Sequence, residues 1–330
     1  MKFLQLWMQV GLSKIIALQL DCAKQEVELM GTSVGTQTKR KKIGARVPWF
    51  IVIPGIVFAL IGHVIAPLQG AFYAFTDFKG IGEYNFVALD NFKEIFMTKA
   101  DLYALLNTLK LAIPFIIFVN LFGLLLAMAL YKGIKTKNIL KSIYFIPAIM
   151  IPLAVTQVWK YILDFDGPLN IFLRNAGFGD WCKNWLGVPE TGLFCIFFVM
   201  LWQNCGYSMI IYHAGLASIS EDLYEAAAID GATAWKRFQY ITIPLLAPSL
   251  TVVITLMTVT GLRVFDQVLG LTGGGPVGLT QTLASDFYKQ TWTLNRYGYG
   301  TALALLLTVL VSVVGILQST VLSKREDKMS

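Results

Sequence analysis

Six stretches of the chain are each long and apolar enough to cross a bilayer as a helix: residues 47–74, 106–131, 139–163, 193–217, 243–269 and 299–322. A hydrocarbon core about 30 Å thick needs roughly 20 residues at a rise of 1.5 Å each. No water is present there to bond a stray backbone N–H or C=O, so only helices and closed barrels can span it. Barrel strands of about 10 alternating residues are too short for these runs, so an all-α, polytopic membrane protein with six transmembrane helices is expected. The composition agrees, with 56% hydrophobic and only 14% charged residues, against about one quarter charged in ordinary globular chains. An even number of spans leaves both termini on one side.

The basic residues say which side. Seventeen of the 27 Lys and Arg fall in the N-terminal tail, residues 132–141, the central loop and the C-terminal tail. Seven lie in the loops on the opposite side, and Lys110, Lys160 and Arg263 sit in spans or at their ends. The positive-inside rule then places both termini and the central loop in the cytoplasm. The net charge of +7 therefore reflects topology. It does not point to nucleic acid, because the basic residues flank spans and do not sit on an aromatic-bearing soluble domain.

In chain order, residues 1–46 read as a cytoplasmic tail, 47–100 as the first transmembrane helix with an external connector, 101–322 as the five-helix core, and 323–330 as a second cytoplasmic tail. Residues 1–29 are an interfacial amphipathic helix or precede a true start at Met30; the second reading is adopted, since Gln5, Gln9 and Lys14 interrupt the apolar run and no cleavage site follows. The first span carries Pro48, Pro54, Pro67 and a lone His63, read as bonded to a neighbouring helix. A short amphipathic helix is expected at 91–97 and a lid-like segment at 164–191. Pro114, Pro147 and Pro152 predict kinks, and Trp159 and Lys160 read as interfacial anchors. Cys22, Cys182, Cys195 and Cys205 have no metal-ligating or redox spacing.

Two spans carry unusual polarity. Gln203, Asn204, Tyr207 and Ser208 place hydrogen-bonding groups well inside hydrocarbon, which is costly unless they meet a partner helix or a solute. Towards the end of the next span come Thr260, Arg263, Asp266 and Gln267, with Arg263 and Asp266 spaced to form an ion pair. Between the apolar runs of these spans, residues 221–248 form a polar island around a loop at 219–242. Ser218 and Glu221 have the spacing of a capping box, so a helix is expected from about residue 219, with Ile219, Leu223, Ala226 and Ala227 on its apolar stripe. Gly231 breaks it, and Thr233 caps a second short helix edged by Trp235 and Phe238.

Glu225-Ala226-Ala227, Asp230-Gly231-Ala232 and Ile243-Pro244 resemble the EAA loop of permease subunits of binding-protein-dependent, type-1 ABC importers, over roughly residues 100–322. Leu271-Thr272-Gly273-Gly274-Gly275-Pro276, read as a flexible external turn, is similar to the LTxGGP signature of the carbohydrate-uptake branch, which includes the maltose and glycerol-phosphate permeases. The resemblance implies a cytoplasmic coupling-helix loop in which Glu225, Ala226, Ala227, Asp230, Gly231 and Ala232 meet an ATPase. It also implies a sugar path touching Asn204, Tyr207, Met257 and Thr260; only Tyr207 keeps the maltose-type side chain. Gln203, Arg263, Asp266 and Gln267 are added from their polarity. Implied partners are a second homologous permease, two ABC ATPase subunits, an extracytoplasmic binding protein and the lipid bilayer of a bacterial cell membrane. No cofactor is expected in this chain. It has no phosphate-binding GxxxxGK[ST] loop, so ATP hydrolysis belongs on a partner, and it has no nucleophile–base pair, which argues against an enzyme. Alternatives are the same family importing a non-sugar polar solute, or a secondary transporter.

Overall fold

The computed structural model describes residues 49–131 and 136–329, and the chain divides into two units, residues 1–58 and 59–330. Among the described residues, the first unit holds only the opening of α1 (Trp49–Leu60). The tail readings before residue 49, Cys22 and Pro48 lie outside the described residues.

The second unit opens with a π turn, Ile61–Ile65, followed by α2 (Ala66–Tyr73) and α3 (Asp90–Met97). The long α4 (Lys99–Tyr131) comes next, then α5 (Lys137–Ile149), α6 (Pro152–Ile162) and the short α7 (Pro168–Asn175). After these come α8 (Pro189–Ala217), α9 (Glu221–Ile229), α10 (Ala234–Arg237), α11 (Ile243–Leu245) and α12 (Ala247–Leu262). The chain closes with α13 (Asp266–Leu271), α14 (Leu283–Tyr288) and α15 (Tyr297–Met329). The described residues hold no strand, only one isolated bridge between Thr76 and Phe86.

Four helical stretches are long and apolar enough to span: Ile53–Tyr73, Lys99–Tyr131, Pro189–Ala217 and Tyr297–Leu322. Two broken pairs bring the number to six. The α5–α6 pair bends by 99°, and Ala234–Leu245 meets α12 at 66°. The first break has a direct cause. Pro152 opens α6 without an N–H, and its ring pushes the preceding Ile151 to extended backbone (ψ 126°). Pro114, by contrast, stands within the continuous α4, its kink absorbed without a break. The expected span 243–269 is also shorter than its apolar run: α12 ends at Leu262, and the helix restarts only at Asp266 after a non-helical Phe265 (φ −135°).

Lipid is as apolar as leucine, so helices in a bilayer associate through close packing more than through water exclusion. Glycine sits at the tightest approaches. A Cβ on Gly123 of α4 would stand 2.6 Å from Ser208 Cβ of α8, and one on Gly206 of α8 would stand 1.8 Å from Tyr144 O of α5. Around these crossings Phe115, Val119, Ile196, Met200, Met209 and Met257 form the main core. A second, smaller cluster gathers Ala74, Ile95, Ala104, Leu283, Tyr299 and Leu303 where α3, α4, α14 and α15 meet. Large apolar side chains such as Leu121, Ile316 and Leu317 remain exposed on the helix surfaces, as a lipid-facing wall requires.

Several local expectations need correction. His63 lies exposed in the π turn, with no hydrogen bond to the described residues, because no neighbouring helix covers that face. Trp159 also packs between helices, edge-on against Phe198 and Trp202 of α8 at 5.3 and 5.5 Å. The expected helix at 91–97 is present as α3, one residue longer. Cys182, Cys195 and Cys205 are free.

Candidate functional site

The α5–α6 break opens a cavity of about 640 Å³, within the range of roughly 300–1,000 Å³ common to small-molecule pockets. Its wall is the chain from Ala148 to Pro152, Gln203 and Asn204 of α8, Val259 and Thr260 of α12, and the link Arg263–Phe265 into Asp266 and Gln267 of α13. Proline sets this geometry: without the 99° bend, α6 would continue along α5 and leave no concavity.

Six of the residues singled out in the sequence line this cavity: Gln203, Asn204, Thr260, Arg263, Asp266 and Gln267. Two of them are already committed. Gln203 Nε2 donates to Met150 O at 3.2 Å, and its Oε1 accepts from Gln267 Nε2 at 2.9 Å. The pair thus braces α8 and α13 against the broken end of α5. Asn204 Nδ2 and Thr260 Oγ1 bond back to Met200 O and Leu256 O of their own helices. That leaves the Asn204 carbonyl and the Thr260 oxygen lone pairs for a solute. Met257 and Tyr207 lie outside the lining. Met257 is 2% exposed in the main core, whereas Tyr207 is exposed on α8.

The expected Arg263–Asp266 ion pair does not form. The non-helical Val264 and Phe265 interrupt the helical register that would have stacked the two side chains. Asp266 instead occupies the first turn of α13, and Arg263 has no carboxylate partner among the described residues. Arg263 also borders a second cavity of about 610 Å³, between α14 and α15 with Phe265, Tyr288 and Thr308.

The glycine turn after α13 is built, not loose. Gly273 and Gly274 take positive φ (60° and 84°), a region that glycine enters without steric penalty. Thr280 Oγ1 donates to Gly275 O at 2.6 Å and pairs with Thr272 Oγ1 at 2.8 Å. Asn107 of α4 then clamps the returning strand of chain, donating to Leu279 O and Gln281 O at 2.8 and 3.0 Å. Gly275 O, Leu279 O and Gln281 O therefore each have a side-chain donor.

At the other end of the bundle lies the polar island. The helix starts at Glu221 with Ser220 as N-cap, so the expected Ser218–Glu221 box is absent; Ser218 Oγ bonds to Gly215 O instead. The body-facing residue is Tyr224, whose hydroxyl meets Thr242 Oγ1 at 3.0 Å, while Leu223 and Ala226 point outward. Gly231 has φ 73° and Thr233 caps α10 through Lys236 N, as the spacing predicts. Glu225, Ala226, Asp230 and Gly231 are exposed, and Ala227 and Ala232 half-buried, so this knuckle presents a ready surface. Trp235 and Phe238 pack beside it as a tilted ring pair at 5.5 Å.

The sequence marked Pro147 and Pro152 as kinks but not Ala148–Ile151 between them, which read as plain apolar span yet form one cavity wall. Sequence reasoning also passed over the clamp from Asn107 and a second from Asn91, whose Nδ2 donates to Ala74 O and Thr76 O at 2.8 and 2.9 Å; no local pattern marks either.

Residues 119–327 match the model of the family described as "binding-protein-dependent transport system inner membrane component". The multiple sugar-binding transport system permease protein MsmF of Streptococcus mutans is 31% identical, over 88% of this chain and 99% of its own length. The probable starch degradation products transport system permease protein AmyD of Thermoanaerobacterium thermosulfurigenes is 30% identical, over 85% and 95%. The fold is similar to that of a chain in a bacterial ABC transporter involved in alginate import, with TM-score 0.73, 22% identity and coverage of 84% and 94%. With four to six candidate helical crossings among the described residues and a family match over residues 119–327, the chain belongs to the inner-membrane components of binding-protein-dependent transport systems.

Proposed function

We propose that this multi-pass membrane protein forms half of the translocation pathway of an ATP-driven importer for a sugar or oligosaccharide. The observation that carries the proposal is the 640 Å³ cavity at the α5–α6 break, walled by Asn204, Thr260, Arg263, Asp266 and Gln267. A polyhydroxy solute needs many moderate donors and acceptors distributed around it, and this wall supplies amides, a hydroxyl, a guanidinium and a carboxylate. The relatives support sugar over other polar solutes, since MsmF and AmyD are named for sugars and starch products.

A second homologous permease completes the pathway, an extracytoplasmic binding protein delivers the solute, and two separate ATPase subunits dock on the α9–α10 knuckle from the cytoplasm. Glu225, Ala226, Ala227, Asp230, Gly231 and Ala232 form that contact; Tyr224, tied to Thr242, passes the movement into the spans. Nucleotide-driven closure of the ATPases rocks the helices as rigid bodies, so the cavity faces alternate sides. Arg263, without a carboxylate partner, favours as a second reading a saccharide bearing an anionic group.

Deleting the gene in its host and measuring uptake of a panel of labelled neutral and uronate-containing saccharides tests the proposal. At least one uptake should disappear and return with the wild-type chain. Gly231→Trp should insert normally yet restore none of it, because a bulky side chain in left-handed backbone distorts the docking surface. Unchanged uptake of every saccharide on deletion would contradict the proposal.

A further inference from the structure

Where α3, α4, α14 and α15 meet, two acidic side chains are buried together. Asp101 is 2% exposed and Asp286 4% exposed, on helices whose Ala104 and Leu283 share one buried cluster, and the two carboxyl groups lie close enough to act on one another. Asp101 Oδ2 accepts from the Tyr299 hydroxyl at 2.6 Å, while its Oδ1 meets no donor among the described residues. Two ionised carboxylates offer only acceptors, so a bond between them requires a proton on one. Leaving both charged and buried would add mutual repulsion to a desolvation cost of several kcal/mol per ion.

Among the described residues no cation forms a salt bridge with this pair. The charged or titratable groups facing it from the packed elements are Asp101 of α4, Tyr299 of α15, and Lys289 of the π turn Lys289–Thr293. Lys289 is exposed. Arg296 is committed elsewhere, pairing with Glu94 of α3 at 2.7 Å and lying over the Tyr299 ring at 4.1 Å. Gln290 beside Asp286 holds its carboxyl down somewhat, but an amide brings no charge.

We infer that Asp101 and Asp286 hold one proton between them, the Asp286 O–H filling the vacant Asp101 Oδ1, and that this bond is an acid-closed latch fastening α14 to α4 and α15. Burial first, then the neighbouring Asp101, pushes the Asp286 carboxyl up to about 7. Because the native form holds this proton more tightly than the unfolded chain, stability is greatest below the ordinary carboxylate range. It declines as pH rises from roughly 4 to about 7, and the latch itself opens across the upper edge of that window. α14 matters beyond its own packing. Thr282 at its start donates to Val264 O at 2.9 Å, and Val264 follows Arg263 in the cavity wall. Loosening α14 at alkaline pH therefore releases the Arg263 link; a transport consequence rests on the pathway proposed above, whereas the latch does not.

The test uses the full chain in lipid nanodiscs without solute or partner, so it is independent of transport. Infrared spectra titrated from pH 5 to 9 should contain a protonated-carboxylic-acid carbonyl band that fades with a midpoint near 7. In Asp286→Asn that band should be lost, and the amide N–H should hold the latch at every pH. The melting temperature of the wild type should accordingly fall by roughly 5 °C relative to Asp286→Asn between acid and alkaline buffer. Absence of the band at every pH in the wild type would overturn the inference, even if the variant failed to fold. So would parallel melting profiles, or restoration of the alkaline loss by sodium or calcium, which would identify a cation in the proton's place.

Discussion

Gly206→Ala is the most informative single-methyl perturbation. The added Cβ would stand 1.8 Å from Tyr144 O and 2.5 Å from the Tyr144 carbonyl carbon. Both are backbone atoms, so no rotamer change relieves the clash. Restoring an ordinary heavy-atom separation of roughly 3.5 Å requires α5 to withdraw by about 1.5 Å. Met150 O, just past the end of α5, accepts from Gln203 at 3.2 Å, and a withdrawal of that size breaks the bond. Overpacking of this kind costs about 1–3 kcal/mol, and the lost bond adds about 1 kcal/mol. The better helix propensity of alanine returns about 1 kcal/mol. The net loss of roughly 1–3 kcal/mol should lower the melting temperature of the nanodisc-embedded chain by about 3–10 °C. Solute uptake should fall as well, because α5 ends in the cavity wall. Gly315→Ala is the control, since a Cβ there meets nothing within 4 Å. A Gly206→Ala chain that melts with the wild type and transports normally would refute the close α5–α8 crossing.

Asn107→Ala removes the donor to Leu279 O and Gln281 O from a residue that is 3% exposed. It should cost roughly 2–4 kcal/mol and accelerate amide deuterium exchange in the segment after the glycine turn, read by mass spectrometry. Glu94→Gln breaks an ion pair whose partners are 41% and 46% exposed, so thermal unfolding should register less than about 1 kcal/mol, with the difference shrinking in salt. Gln267→Leu leaves Gln203 Oε1 buried without its donor. It should reduce uptake more than it reduces expression, as measured by transport per unit of membrane-inserted protein.

The parts of this fold that were legible in the sequence are those governed by local chemistry. Hydrophobic run lengths located the spans, Pro147 and Pro152 marked the break that opens the cavity, and Gly231 with Thr233 marked the turn between α9 and α10. What was not legible depends on tertiary pairing. Asp101 and Asp286 lie far apart in the chain, and each alone reads as a charge in a connector between spans. Met257 and Thr260 looked alike as pathway residues, but helix rotation, set by packing against α4, buries the first and exposes the second. The glycine turn read as flexible from composition, whereas Thr272, Thr280 and Asn107 lock it. The Arg263–Asp266 pair failed because an unbroken helix was assumed between them.

Accessibility at Thr260 tests the central claim most directly. In a chain with Cys22, Cys182, Cys195 and Cys205 replaced, Thr260→Cys should react with a charged, water-soluble thiol reagent in vesicles holding the complete complex. Its rate should change several-fold on adding magnesium ATP, and the transported saccharide should protect it. Val313→Cys, on the exposed face of α15, should remain unreactive throughout. A Thr260→Cys rate that is the same with and without nucleotide would contradict a cavity whose access is switched by ATP.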